Sequence, residues 1–128
     1  MAIYSTGVDL AEIDRIERVI REYGDRFIKR VFTAHEIAYC SRKAAAASSY
    51  AARFATKEAV FKATGIGLSM GMRWRDVEVV NDMRGKPSVR LYGIAAERLQ
   101  GKKVHLSISH SRNLAIAAVV VEETSTRE

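Results

Sequence analysis

Between Arg42 and Thr64 the chain holds neither glycine nor proline and is dense in alanine, and Gly65 follows at once. That run predicts one long helix, about 33 Å if it takes 22 residues, stopped where glycine adopts a left-handed turn. A chain of 128 residues has room for one domain, so the other elements must pack around this helix. Ile3–Leu10 alternates like a strand, and Asp9 followed by Glu12 reads as a capping box opening a helix through Ile13, Ile16, Val19 or Ile20, and Tyr23 to Gly24. Thr33 with Glu36 opens a second, short helix to Cys40. Val77–Asn81 and Ser88–Tyr92 read as strands around the turn that contains Gly85-Lys86-Pro87. Gly93–Gln100 reads as a short amphipathic helix, and Val104–Ser111 with Leu114–Val121 as a strand pair around Arg112-Asn113. The fold class expected is α+β: a single domain, residues 1–122, with an antiparallel sheet packed on a long central helix and a frayed polar tail at 123–128.

Charge narrows the function. Lysine and arginine number 21 against 15 acids, and five of the six excess positive charges fall in residues 31–75, where seven bases meet only Glu36 and Glu58. A positive field with so few acids suits an anionic partner. One cysteine, Cys40, excludes an internal disulfide and a four-cysteine zinc site. Apolar runs are too short to span a bilayer, and the N-terminus lacks a secretion-type signal, so a cytoplasmic protein without a membrane partner is expected.

On the long helix Ala47, Ala51, Phe54 and Phe61 share one row, the inward stripe, and Glu58 lies in its middle. An inward carboxylate costs several kcal/mol of desolvation unless a positive group compensates it. Lys62 follows one turn on, with Arg53 and Lys57 on the opposite flank. An ordinary Glu58–Lys62 helix pair is one reading, and a phosphate-and-metal site is the other. Asp9, at a strand-to-helix corner, could join Glu58 as a second oxygen ligand, a donor set that suits magnesium with water and phosphate completing its shell. His110 ends the apolar face of its strand beside Ser111 and Arg112, either as a satisfied core-edge histidine or facing phosphate. The Gly65–Gly71 stretch follows a helix, so it is no dinucleotide fingerprint.

Gly7-Val8-Asp9-Leu10, Arg53-Phe54-Ala55-Thr56-Lys57-Glu58-Ala59-Val60-Phe61-Lys62-Ala63 and Ser107-Ile108-Ser109-His110-Ser111 occur in that order. Together they resemble the bacterial holo-acyl-carrier-protein synthases, the small trimeric class of 4′-phosphopantetheinyl transferases, over nearly the whole chain. The resemblance implies the family's fold and a Mg²⁺-dependent reaction of fatty acid biosynthesis. A serine of apo acyl carrier protein attacks coenzyme A, takes its phosphopantetheine and releases adenosine 3′,5′-bisphosphate. By likeness Asp9 and Glu58 hold the metal, Lys62 lies near the reacting phosphate, and Arg53, Lys57, Lys62 and His110 contact coenzyme A. Asp9, Glu58 and Lys62 would be the catalytic set, with the base for the serine proton left open. The family's trimer places each site between two chains, and Arg42 or Lys43 is the candidate for a subunit-crossing contact.

Carrier proteins are acidic around the modified serine. Arg15, Arg18 and Arg21 on the first helix, with Arg26 and an exposed Phe27, form the expected docking patch, diluted by Asp14, Glu17 and Glu22. A nucleic-acid partner is not expected: ten aromatic residues and no recognised RNA or DNA motif argue against one. A non-enzymatic adaptor for acidic proteins, with Glu58 a paired core acid, is the remaining rival.

Overall fold

The computed structural model describes residues 2–124. Strand β1 (Ala2–Glu12) leads into helices α1 (Ile13–Tyr23), α2 (Asp25–Val31), α3 (Ala34–Ser41) and the long α4 (Ala46–Thr64). A 3₁₀ turn at Trp74–Asp76 enters the hairpin β2 (Val77–Asn81) and β3 (Pro87–Leu91). Helix α5 (Gly93–Arg98) and the hairpin β4 (Lys102–Ser111) and β5 (Leu114–Glu123) follow. The main sheet runs β1-β5-β4, antiparallel throughout, while β2 and β3 pair separately. Helix α4 packs chiefly against β1 and β5. The α+β expectation, a sheet on a long helix, is the architecture found.

Alternation decides which side of β1 meets α4. Ser5, Gly7, Asp9 and Ala11 turn inward, and Tyr4, Val8 and Leu10 stay exposed. Contact is close because residue 7 has no side chain. A Cβ there would lie 2.0 Å from the Ala59 carbonyl oxygen, and Ser5 Oγ already donates to the Ala63 carbonyl at 2.7 Å. Gly7→Ala is therefore expected to push the strand off the helix and to lose about 1–3 kcal/mol of stability. Urea denaturation measures this, and an unchanged midpoint would mean the approach is looser than it looks.

The starts of α1 and α4 differ from expectation, each through a tertiary cause. Asp9 does not cap α1, because β1 continues to Glu12 through its pairing with Leu114. The cap comes from the far hairpin: Asn113 accepts the Ile13 N–H through its carbonyl at 2.8 Å and the Asp14 N–H through Oδ1 at 2.9 Å. That leaves the Asp9 carboxylate free for other work. Helix α4 begins at Ala46, since residues 42–45 turn the chain back from α3 and tertiary context overrides alanine's helix preference. Helix α2, which carries Arg26 and Phe27, was not expected as an element. The Thr33–Glu36 capping box is present in full, and Gly65 ends α4 at φ +86°. Strand β5 runs one residue past the expected boundary at 122, with Glu123 paired to Ala2 and Lys102. Residues 125–128 of the expected tail lie outside the described residues.

Candidate active site

Helix α4 is buried on more faces than one stripe would require. Ala51, Ala55, Ala59 and Val60 are fully enclosed, and small side chains let neighbours approach from several sides. Glu58 and Lys62 leave the helix toward β1. Lys62 Nζ donates to the Val8 carbonyl at 3.1 Å and lies 3.3 Å from Asp9 Oδ1. Burial pushes the Glu58 carboxyl up to about 7, and the hydrogen bond and charge of the Asp9 carboxyl add to the rise, while Lys62 and Arg15 pull it down. Asp9, Glu58 and Lys62 thus form one cluster built from two distant parts of the chain.

A Glu58 carboxyl that burial and a neighbouring carboxyl hold up to about 7 is a group whose proton a divalent cation can replace. Among the described residues no group of three or more His, Cys, Asp or Glu gathers to hold a metal. A two-carboxylate set fits magnesium, which keeps several waters and shares substrate phosphates, and does not fit a structural zinc. Beside the pair is a cavity of about 380 Å³, lined in part by Arg15, Phe27, Phe54 and Glu58.

Arg53 and His110 lie elsewhere, on a cavity of about 650 Å³ that Lys43, Ser49 and Lys86 also line. The Arg53 guanidinium donates to Ser49 Oγ at 3.2 Å and to Asn81 Oδ1, and it covers the Tyr39 ring at 4.3 Å. Its buried Nε has no partner. Positions 53 and 58 are about 140° apart around a helix, so one chain aims them into different cavities. Lys86 was not singled out from the sequence as a site residue, although the Gly-Lys-Pro turn that carries it was noted.

Lys57 requires the largest correction. Its side chain is wholly enclosed, with Nζ 2.8 Å from Glu36 Oε1 and donating to the carbonyls of Trp74, at 3.2 Å, and Val77. Burial lowers its pKa and the Glu36 charge opposes the fall. No part of this ammonium reaches a ligand cavity, so Lys57 is an internal ion-pair partner and not a coenzyme contact. Glu36 was missed as that partner. Its capping-box position was legible, but the box uses only one oxygen, and the other accepts the Val79 N–H at 2.7 Å. Of the docking residues, Arg15, Arg18, Arg21 and Arg26 are exposed as expected. Phe27 is instead half-buried, edge-to-face with Phe32 at 5.9 Å and tilted on Phe54 at 6.2 Å, because α2 folds it over the aromatic cluster.

A carboxylate pair flanked by lysine and arginine, with a separate basic cavity on another side of α4, presents the side-chain chemistry used on phosphate esters. The model of the 4′-phosphopantetheinyl transferase superfamily matches residues 5–119, and the chain belongs to that family. The holo-acyl-carrier-protein synthase of Solibacter usitatus is 54% identical over 94% of this chain and 98% of its own. That of Geobacter metallireducens is 49% identical with the same coverage. The crystal structure of the Neisseria meningitidis synthase superposes with a TM-score of 0.84 at 32% identity, over 94% of this chain and 99% of its own. The Bacillus anthracis synthase, solved in complex with CoA (3′,5′-ADP), gives 0.79 at 36% identity, over 94% and 97%.

Proposed function

We propose that this chain transfers the 4′-phosphopantetheine of coenzyme A to a serine of apo acyl carrier protein, releasing adenosine 3′,5′-bisphosphate, as a step of fatty acid biosynthesis. The meeting of Asp9, Glu58 and Lys62 carries this reading. The serine oxygen attacks the β-phosphorus, its proton passes to Glu58, Asp9 or water, and the bond to the bridging oxygen breaks to release adenosine 3′,5′-bisphosphate. The nucleophile belongs to the partner, in keeping with the absence of an activated serine or cysteine in the cluster. Asp9 and Glu58 would hold Mg²⁺, which when bound offsets negative charge on the pyrophosphate and the leaving group. Lys62 adds fixed positive charge at the same place, and Arg15 adds a weaker field. The Arg53–His110 cavity, with one buried donor unused, suits the phosphates of the nucleotide end.

Uniting the two cavities in one site takes more than one copy. The outward face of the sheet offers Val8, Leu10 and Val120 to solvent, 58%, 52% and 36% exposed, beside Ala118. An apolar sheet face of this kind calls for a covering surface. A homotrimer closed through these faces, with each site shared between neighbours, accounts for both features. Arg15, Arg18, Arg21 and Arg26 would receive the acidic carrier at the mouth of the carboxylate cavity. Residues 1–122 act as one transferase domain in the cytoplasm, and no helix among the described residues is long and apolar enough to cross a membrane.

The deciding experiment incubates the protein with coenzyme A, Mg²⁺ and apo carrier protein and weighs the carrier. A mass gain of one phosphopantetheine is expected, and none with the folded protein would end the proposal. Proton and metal should also compete at the carboxylate pair. With the folded pKa at about 7, above the ordinary 4.5, the metal-free native state binds more protons than the unfolded chain between those values. The pair's contribution to stability therefore falls as pH rises through that window. Apparent Mg²⁺ affinity should weaken about tenfold per pH unit below 7 and level off above it. Calorimetric titrations from acid to alkaline pH check this, and a flat profile would contradict a raised Glu58 carboxyl.

A further inference from the structure

Arg53 is 4% exposed, yet among the described residues it enters no ion pair. Neutral groups hold it instead. One guanidinium nitrogen donates to the carbonyl and hydroxyl oxygens of Ser49, one turn back on α4, at 3.5 and 3.2 Å. The other donates to Asn81 Oδ1. Neutral acceptors orient a cation without cancelling its charge, so Arg53 meets its cavity as an uncompensated positive group.

Asn81 is the far end of that support. It is half-buried at the end of β2, paired with Pro87. Its amide works in both directions: Oδ1 accepts from Arg53, and Nδ2 donates to the Gly85 carbonyl at 2.9 Å. The turn it grips is itself tied down. Asp82 Oδ1 accepts the N–H groups of Arg84 at 2.8 Å and Lys86 at 2.9 Å, and Gly85 takes φ +88°. Asn81 is thereby anchored on one wall of the cavity of about 650 Å³ and reaches Arg53 on another. An aspartate there would accept from Arg53, but it has no hydrogen for Gly85 and would neutralise the guanidinium.

We infer that Asn81 is a positioning residue for coenzyme A binding: anchored on the Gly85 turn, it aims the Arg53 guanidinium into the cavity and, being neutral, leaves its charge for phosphate. The inference rests on the proposed transfer, in which this cavity takes the nucleotide end, and adds a residue that acts only through Arg53. Arg53 and the carboxylate cluster face different cavities, so its support holds substrate and transition state alike. The effect of losing Asn81 therefore falls on the KM for coenzyme A and not on kcat.

The test compares Asn81→Ala and Asn81→Asp in the full chain, by calorimetric binding of coenzyme A and by carrier modification with Mg²⁺. Asn81→Ala loses both hydrogen bonds, and the KM for coenzyme A is expected to rise about fivefold. Asn81→Asp keeps the Arg53 contact but pairs with its charge, and a rise of about tenfold is expected. The Kd for adenosine 3′,5′-bisphosphate should weaken by the same factors, with kcat and carrier KM within about twofold of the wild type. A merely structural tether predicts the reverse order, because aspartate retains one of the two bonds. On an Arg53→Ala background, Asn81→Ala should change coenzyme A affinity by less than about twofold, since the group it aims is gone. Unchanged coenzyme A affinity in both single variants, a larger loss in Asn81→Ala than in Asn81→Asp, or an undiminished Asn81→Ala effect without Arg53 overturns the inference and leaves the transfer standing. A wild type that binds coenzyme A but leaves the carrier unmodified overturns the transfer, and the binding constants of the variants still decide the inference. A wild type that binds no coenzyme A overturns both.

Discussion

Glu58→Gln and Asp9→Asn are each expected to lower kcat/KM for carrier modification by about 10³-fold while the protein stays folded. Each variant keeps the size and hydrogen-bonding reach of the side chain and removes one anionic oxygen donor from a two-carboxylate set. Charge stabilisation at a phosphoryl centre is worth several kcal/mol, and each 1.36 kcal/mol is a factor of ten in rate. The fold does not depend on the Glu58 charge. Glu58 is held up to about 7 by burial and by Asp9, so its ionised form already works against the native state, and an amide removes that opposition. Thermal melting should show an unchanged or slightly raised midpoint in Glu58→Gln, alongside steady-state rates followed by carrier mass. Both variants active with the wild-type metal requirement would show that the metal, if any, sits elsewhere.

The second large effect concerns stability. Removing one member of the buried Glu36–Lys57 pair strands the other, a loss of about 3–5 kcal/mol, which lowers the melting point by about 10–20 °C in a domain of this size. The two halves are not equivalent. Lys57→Met leaves the Glu36 carboxylate accepting the Thr33 N–H at 2.9 Å and the Val79 N–H at 2.7 Å. Glu36→Ala deprives both those donors and leaves Nζ with the carbonyls of Trp74 and Val77 and the weaker charge of Glu78. Glu36→Ala should therefore be the more damaging, and calorimetric melts of the two variants give the order. A Glu36→Ala protein as stable as the wild type would contradict the burial of the pair.

Much of the candidate site was legible before any coordinates. The spacing on α4 placed Glu58 one turn from Lys62, and both emerge on the flank that meets β1. The sequence also marked Asp9, though for the wrong local reason: its nearness to a helix start suggested a cap, whereas its alternation within β1 is what turns it inward. The family resemblance puts Arg53 and Lys57 together against coenzyme A. In the protein Arg53 reaches a cavity, while Lys57, one turn on, is sealed by Glu36, whose place in a capping box gave no hint of a second partner.

Periodicity and capping are properties of neighbours along the chain, so the sequence alone settled the long helix, its glycine stop, the Thr33–Glu36 cap and the order of the motifs. Which groups face each other across elements depends on how closely two backbones approach, and that follows from packing. The missing side chain at Gly7 lets β1 settle against Ala59 and carry Asp9 to Glu58. The same packing encloses Lys57 and sends Arg53 to the other side of the helix. Only the tertiary structure decided these contacts, because desolvation and charge act through space and take no account of separation in sequence.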